Sequence, residues 1–111
     1  ARLGLGQGAA AEEALRQAVR LAPESVEGWF LLGAARALQG RHAAAAEDFR
    51  TAVRLKPDHA LAHYNLGQCL RQQGMNAEAA EAYRAALRYR PDYAPARTGL
   101  ESLGAVPGRG D

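Results

Sequence analysis

The sequence predicts an all-α solenoid of about six helices stacked as antiparallel pairs, and three observations carry that reading. Residues of matching size recur every 34 positions: Pro23, Pro57 and Pro91; Ala11, Ala45 and Ala79; Ala18, Ala52 and Ala86; Leu15, Phe49 and Tyr83; Gly6, Gly40 and Gly74. The composition is dominated by Ala with Leu, Glu and Arg, all strong helix formers. No stretch alternates apolar and polar positions with the β-branched or aromatic content of a strand. A unit this short cannot bury its own apolar face, so it stacks on its neighbours and leaves a surface for gripping something else.

Taken in order, each unit offers a helix (A), a glycine, a second helix (B) and a proline. The pattern predicts a B helix near 9–22, an A near 26–39, a B near 42–55, an A near 60–73, a B near 76–89 and a last A near 94–103. Gly40 and Gly74 fall where a helix ends in a left-handed residue, and Gly6 holds the same slot in the shortened first unit. Asn76 is placed to cap the helix after Gly74. Pro57 and Pro91 stop the B helices, and Asp58 and Asp92 follow, placed to oppose the positive end of the next helix. The array therefore spans 1–103: a partial repeat at 1–25, full repeats at 26–59 and 60–93, and a capping or partial-repeat helix at 94–103. Residues 104–111, with Pro107, Gly108 and Gly110, read as a flexible tail or linker.

Small and large residues should interlock in the core. Ala45 and Ala52, then Ala79 and Ala86, recur at seven-residue spacing on the B helices and let backbones approach. Leu15, Phe49 and Tyr83 share that stripe, facing Leu32, Leu66 and Leu100 of the A helices.

Net charge is +2 with a pI near 9.0, and Arg and Glu alternate along most of the chain. That spread argues against a nucleic-acid coat, which concentrates its cations. No apolar run approaches the ~20 residues of a membrane span. The single cysteine, Cys69, forms no internal disulfide and is compatible with a reducing, cytoplasmic compartment. The chain opens with Ala1 inside a repeat, the expectation for a fragment or processed piece of a longer protein.

The register resembles the tetratricopeptide repeat, whose pattern is W-x2-L-G-x2-Y, then A-x3-F, then A and P. One unit supplies Trp29, Leu32, Gly33, Ala45, Phe49, Ala52 and Pro57; the next supplies Leu66, Gly67, Ala79, Tyr83, Ala86 and Pro91. The departures are Arg36 and Leu70 at the Tyr position, His63 and Arg97 at the Trp position, and Glu101 at the packing Gly. The resemblance implies a right-handed superhelix with a concave groove lined by A helices. Carried over by register, the groove positions are Glu27, Phe30, Ala34, Ala37 and Leu38, then Leu61, Tyr64, Asn65, Gln68, Arg71 and Gln72, joined by Thr98 and Ser102. Phe30, Tyr64 and Arg71 are the expected anchors. This mixed apolar and amide surface suits an extended peptide or an amphipathic helix. Some members clamp a partner's C-terminal carboxylate with Lys, Asn and Arg; here Phe30, Ala34, Pro95 and Gly99 hold those positions and only Asn65 matches. Asn65 also resembles the asparagine ladder of O-GlcNAc transferases, broken on both sides by Leu31 and Gly99.

No residue set reads as catalytic or as a cofactor site. Gly4, Gly6 and Gly8 follow no strand, so they form no phosphate loop. His59 and His63 are four apart, but His59 precedes its helix, His63 sits at a packing position, and only Asp58 is near, which leaves no metal site. Cys69 sits in the register of a buried small residue. Arg16, Arg50 and Arg84 recur one turn before Arg20, Arg54 and Arg88, with Glu13, Glu47 and Glu81 three residues ahead; i,i+3 ion pairs on a solvated face are the favoured reading over an acidic partner. Arg109-Gly110-Asp111 is read as a chance tripeptide. The first functional reading is a non-enzymatic protein–protein interaction module with an adaptor or scaffold role. The alternatives are the non-catalytic part of a larger glycosyl-, sulfo- or methyltransferase, and a structural array that associates end to end through Leu3, Leu5, Leu15 and Val19.

Overall fold

The computed structural model describes residues 2–104, with side chains from Gly8 onward. Of the tail expected at 104–111, residues 105–111, including Arg109-Gly110-Asp111, lie outside the described residues, as do the Leu3 and Leu5 side chains. Six helices follow one another: α1 (Arg2–Leu21), α2 (Val26–Leu38), α3 (His42–Leu55), α4 (Ala60–Gln72), α5 (Asn76–Tyr89) and α6 (Ala94–Ser102), with no strand among the described residues.

Local chemistry sets the boundaries. Gly40 (φ 78°) and Gly74 (φ 77°) are left-handed, and each closes a Schellman turn. Arg41 N donates to Arg36 O and Gly40 N to Ala37 O; Met75 N donates to Leu70 O and Gly74 N to Arg71 O. α3 and α5 stop before Pro57 and Pro91. Ser25 Oγ accepts from Gly28 N at 3.1 Å and His59 Nδ1 from Ala62 N at 3.2 Å, capping α2 and α4.

Several local expectations are corrected. Asn76 is the first residue of α5 and caps nothing; Met75, which alone separates Gly74 from the helix, holds the cap position without a side-chain bond. Asp58 and Asp92 sit one residue ahead of the caps His59 and Tyr93, and Asp58 pairs with Lys56 at 3.3 Å instead. Gly6 lies inside α1. At Gly40 and Gly74 the chain folds back onto the preceding A helix. α1 has none before it among the described residues, and a helical glycine costs only about 1 kcal/mol against alanine.

Each helix packs on its chain neighbours, and the backbones of α2 and α4 and of α4 and α6 also approach, whereas those of α1, α3 and α5 do not; between α3 and α5 the long Arg50 side chain reaches Glu78 at 4.0 Å. The A helices therefore form an inner row and the B helices an outer one, within a body of 41 × 32 × 21 Å. In the seam between rows Ala45, Ala52, Ala79 and Ala86 are fully buried, as are Phe49 and Tyr83. Two glycines seat those rings. A Cβ added at Gly33 would lie 3.0 Å from the Phe49 ring, and one at Gly67 would lie 2.9 Å from Tyr83. In the third unit Glu101 stands at the corresponding position and is exposed, and Gly99, two residues earlier, meets the Tyr83 ring instead. Ala52→Leu or Ala86→Leu should overpack the seam and lower stability by roughly 1–3 kcal/mol; thermal unfolding checks this, and an unchanged melting temperature would contradict the packing.

α1 departs from the register of α3 and α5. Ala11 and Ala18 are exposed and Leu15 is half-buried, although their counterparts are sealed. α1 packs only on α2, so one of its flanks stays open. Val19, expected in an exposed patch, is instead buried against α2, with its Cγ1 3.1 Å from where a Gly28 Cβ would sit.

Candidate functional site

Two features break the repeat and decide what the molecule can do: a buried charge network and a pair of pockets on the inner row. The network starts at Glu12, which faces α2 and is 7 % exposed. Its carboxylate accepts from Gln39 Nε2 (2.7 Å), Arg41 (2.6 and 2.7 Å) and Arg36 Nε (3.1 Å). Arg36 also grips both oxygens of buried Asp48 at 3.0 and 3.1 Å. A single guanidinium thus ties α1, α2 and α3 together. The hydrogen bond from Gln39, then those from Arg41 and Arg36, hold the Glu12 carboxyl down to about 2 against the opposing effect of burial. Burial pushes Asp48 up, opposed by the charge of Arg36.

The signs of the two are opposite. Glu12 titrates lower folded than unfolded, so its contribution is present above pH 4.5 and lost as pH falls toward about 2. Asp48 titrates higher when folded, so its contribution is present below 3.8 and lost as pH rises through its raised value. Urea midpoints should therefore fall between pH 4.5 and about 2, and Glu12→Gln should flatten that decline.

The pockets lie along α2, α4 and α6. The first, about 390 Å³, is floored by Ala34, Ala37, Phe49 and Cys69 and rimmed by Leu38, His42, Asn65, Gln68 and Gln72. The second, about 400 Å³, is formed by Tyr64, Gln68, Arg71 and Thr98 with Ala94, Pro95 and Gly99 of α6. Gln68 belongs to both, and the Tyr83 hydroxyl donates to its Oε1. Arg71 donates to Ser102 Oγ at 2.7 Å, and Ser102 Oγ donates to Gly99 O at 2.7 Å. Burial raises Tyr64, Tyr83 and, to about 11, Cys69, so near neutral pH the first two are phenols and the last is an unreactive thiol.

Of the residues expected by register, Ala34, Ala37, Leu38, Asn65, Gln68 and Gln72 meet in the first pocket and Tyr64, Arg71 and Thr98 in the second. Glu27, Phe30 and Leu61 line neither. Phe30 meets Phe49 edge-on (5.6 Å) and stacks on His59 (5.2 Å), which turns it toward the core. Tyr64 packs against Tyr93 (5.3 Å) and Tyr83 (5.9 Å). The open apolar side chain is Leu38, 78 % exposed. His42 and Pro95 join the lining without having been expected there.

The departures at the Trp position share one task. Trp29 Nε1 donates to Pro23 O (2.8 Å), His63 Nε2 lies 2.8 Å from Pro57 O, and Arg97 donates to Pro91 O (3.2 Å). Each spans the turn from one B helix to the next A helix. The position requires a donor that reaches a prolyl carbonyl, not an indole. His59 and His63 thus engage Ala62 N and Pro57 O, on separate tasks.

No helix of the described residues is long and apolar enough to cross a membrane. A search among curated proteins returns no match. Solved structures share the fold. The chain superposes on MamA with a TM-score of 0.86 at 27 % identity, over 91 % of this chain and 59 % of that one. A K341M mutant of Thermobaculum terrenum O-GlcNAc transferase is 35 % identical, with a TM-score of 0.80, over 91 % of this chain but 19 % of the transferase. YrrB, described as a TPR protein with an unusual peptide-binding site, is 27 % identical, with a TM-score of 0.82, over 89 % of this chain and 51 % of that one. The chain thus spans less than two thirds of each of these relatives. A sequence profile of the tetratricopeptide repeat matches residues 1–60 and 39–95. Such repeats are non-catalytic and form protein-interaction modules through their stacked surfaces. With its helical pairs, ring-seating glycines and 34-residue register, the chain belongs to the tetratricopeptide repeat family.

Proposed function

We propose that the array holds a peptide or an amphipathic helix of a protein partner along the inner row, in an adaptor or scaffold role. The observation that carries this reading is the pair of adjoining pockets sharing Gln68, one with an apolar floor and an amide rim and the other with a guanidinium. Their volumes suit single side chains or short segments. Leu38 supplies an exposed apolar contact at the rim, and Asn65, Gln68 and Gln72 supply amide groups suited to main-chain N–H and C=O. The likeness to YrrB, itself described by a peptide-binding site, supports the same use.

Selection of short random peptides on the immobilised chain, followed by calorimetry, tests this. Leu38→Asp and Gln68→Ala should each weaken a selected peptide by about tenfold or more. The reading fails if nothing is selected, or if both folded variants bind like the parent.

A second reading is favoured by one observation, the 35 % identity to a transferase of which this chain covers 19 %. In that case the array is the recognition arm of a larger enzyme and presents the bound peptide to a catalytic domain. Peptide mapping of the native polypeptide separates the two: a transferase domain on the same chain supports this reading, and a native protein made of helical repeats alone rejects it.

A further inference from the structure

A second surface recurs with the fold, on the outer helices. Arg20, Arg54 and Arg88 occupy the last turns of α1, α3 and α5, and all three are exposed. Directly after each comes a large apolar side chain that is open or partly open to solvent: Leu21 (85 % exposed), Leu55 (38 %) and Tyr89 (43 %), whose ring stacks on His63 at 5.8 Å. The arginine row one turn earlier behaves differently, with Arg16 on Glu13 at 3.6 Å and Arg50 on Glu47 at 2.6 Å. Among the described residues none of Arg20, Arg54 and Arg88 has a carboxylate partner; Arg88 lies 5.9 Å from the Tyr89 ring centroid. A cation in the last turn complements the helix dipole. That accounts for the charge but not for an exposed apolar neighbour in every unit. In the first unit the row opens onto a pocket of about 370 Å³ that places Arg16, Arg20 and Arg36 beside Val19, Trp29 and Leu32.

We propose that this outer row is a second docking surface, for an acidic segment of a protein partner in which carboxylates alternate with apolar side chains. The carboxylates meet the spare guanidiniums, whose planar fork fits them, and the apolar groups cover Leu21, Leu55 and Tyr89. Charge complementarity selects the partner class. A polyphosphate backbone is disfavoured, because Glu13 and Glu47 set a carboxylate beside the row in successive units and the whole chain carries only +2. The surface lies on the B helices, with Trp29, Leu32 and Arg36 of α2 at its first-unit end, and shares no residue with the pockets of the inner row.

Fluorescence anisotropy with a labelled synthetic peptide of alternating Glu and Leu tests the proposal. The parent chain should bind it, more weakly as salt rises, and should not bind the Lys-for-Glu counterpart. The triple variant R20Q/R54Q/R88Q should weaken binding by about tenfold or more, while Leu38→Asp leaves it unchanged. Should the arginine variant lose its helical circular dichroism, the variant L21S/L55S/Y89S provides the same readout. The proposal is overturned if the parent does not bind the Glu–Leu peptide, if the folded outer-row variants bind like the parent, or if Leu38→Asp abolishes binding. It is also overturned if a single-stranded oligonucleotide binds more tightly than the peptide and loses that binding in the arginine variant.

Discussion

Arg36→Leu should lower the unfolding free energy by roughly 3–5 kcal/mol, as removal of one partner from a buried ion network does. The variant leaves Glu12 and Asp48 facing a hydrocarbon side chain between α1 and α3, with Asp48 stripped of its bidentate cation. Small domains have only about 5–15 kcal/mol in hand, so equilibrium urea unfolding at neutral pH resolves the effect easily. The informative comparison is the triple variant E12A/R36L/D48A. One repeat later the positions of Glu12, Arg36 and Asp48 are held by Ala46, Leu70 and Ala82, all buried. The chain therefore contains an apolar solution to the same packing problem. Replacing the network by that set should restore stability to the parent value or above it, because desolvating three charges is no longer required. A triple variant as unstable as Arg36→Leu would show that the network supplies more than charge balance.

Tyr83→Ala should cost about 3–5 kcal/mol, the range for truncating a fully buried aromatic side chain. The ring is completely buried, and both Gly67 and Gly99 are shaped around it. Its removal empties the contact of α5 with both α4 and α6, and differential scanning calorimetry should record a large drop in melting temperature. Two milder substitutions divide the effect. Gly99→Ala would place a methyl 2.6 Å from the ring's Cζ and should cost roughly 1–3 kcal/mol by overpacking. Tyr83→Phe removes only the hydroxyl that holds Gln68 and should cost about 1 kcal/mol. Because Gln68 joins the two pockets, Tyr83→Phe should also loosen peptide binding while the fold survives.

Much of the fold is legible in the sequence because glycine and proline punctuate it. The ends of α2 to α5 fall within a residue of those that Gly40, Pro57, Gly74 and Pro91 imply. The start of α1 escapes the pattern because Gly6 has the right spacing but, among the described residues, no helix before it to turn against. The inner-row pockets followed from register for Ala34, Leu38, Asn65 and Gln68. Phe30 did not, because spacing says which face a side chain leaves from but not that His59 will stack on it. The charge network went unread although a signal was present: Glu12, Arg36 and Asp48 interrupt positions that are apolar in the next unit. The shared donor role of Trp29, His63 and Arg97 was invisible because residue type hides what the three have in common, a proton aimed at a prolyl oxygen.

The inner helices abut while the outer backbones stand apart, bridged from α3 to α5 by Arg50 and Glu78. In mechanical terms the inner row is the spine of a short spring. Rotation about that spine can widen or narrow the gaps between α1, α3 and α5 only as far as the Arg36 clasp on Glu12 and Asp48 and the seating of Tyr83 on both Gly67 and Gly99 allow. The spacing of Arg20, Arg54 and Arg88 is thus set by curvature, so whatever flattens or tightens the coil from within retunes the ruler on its back.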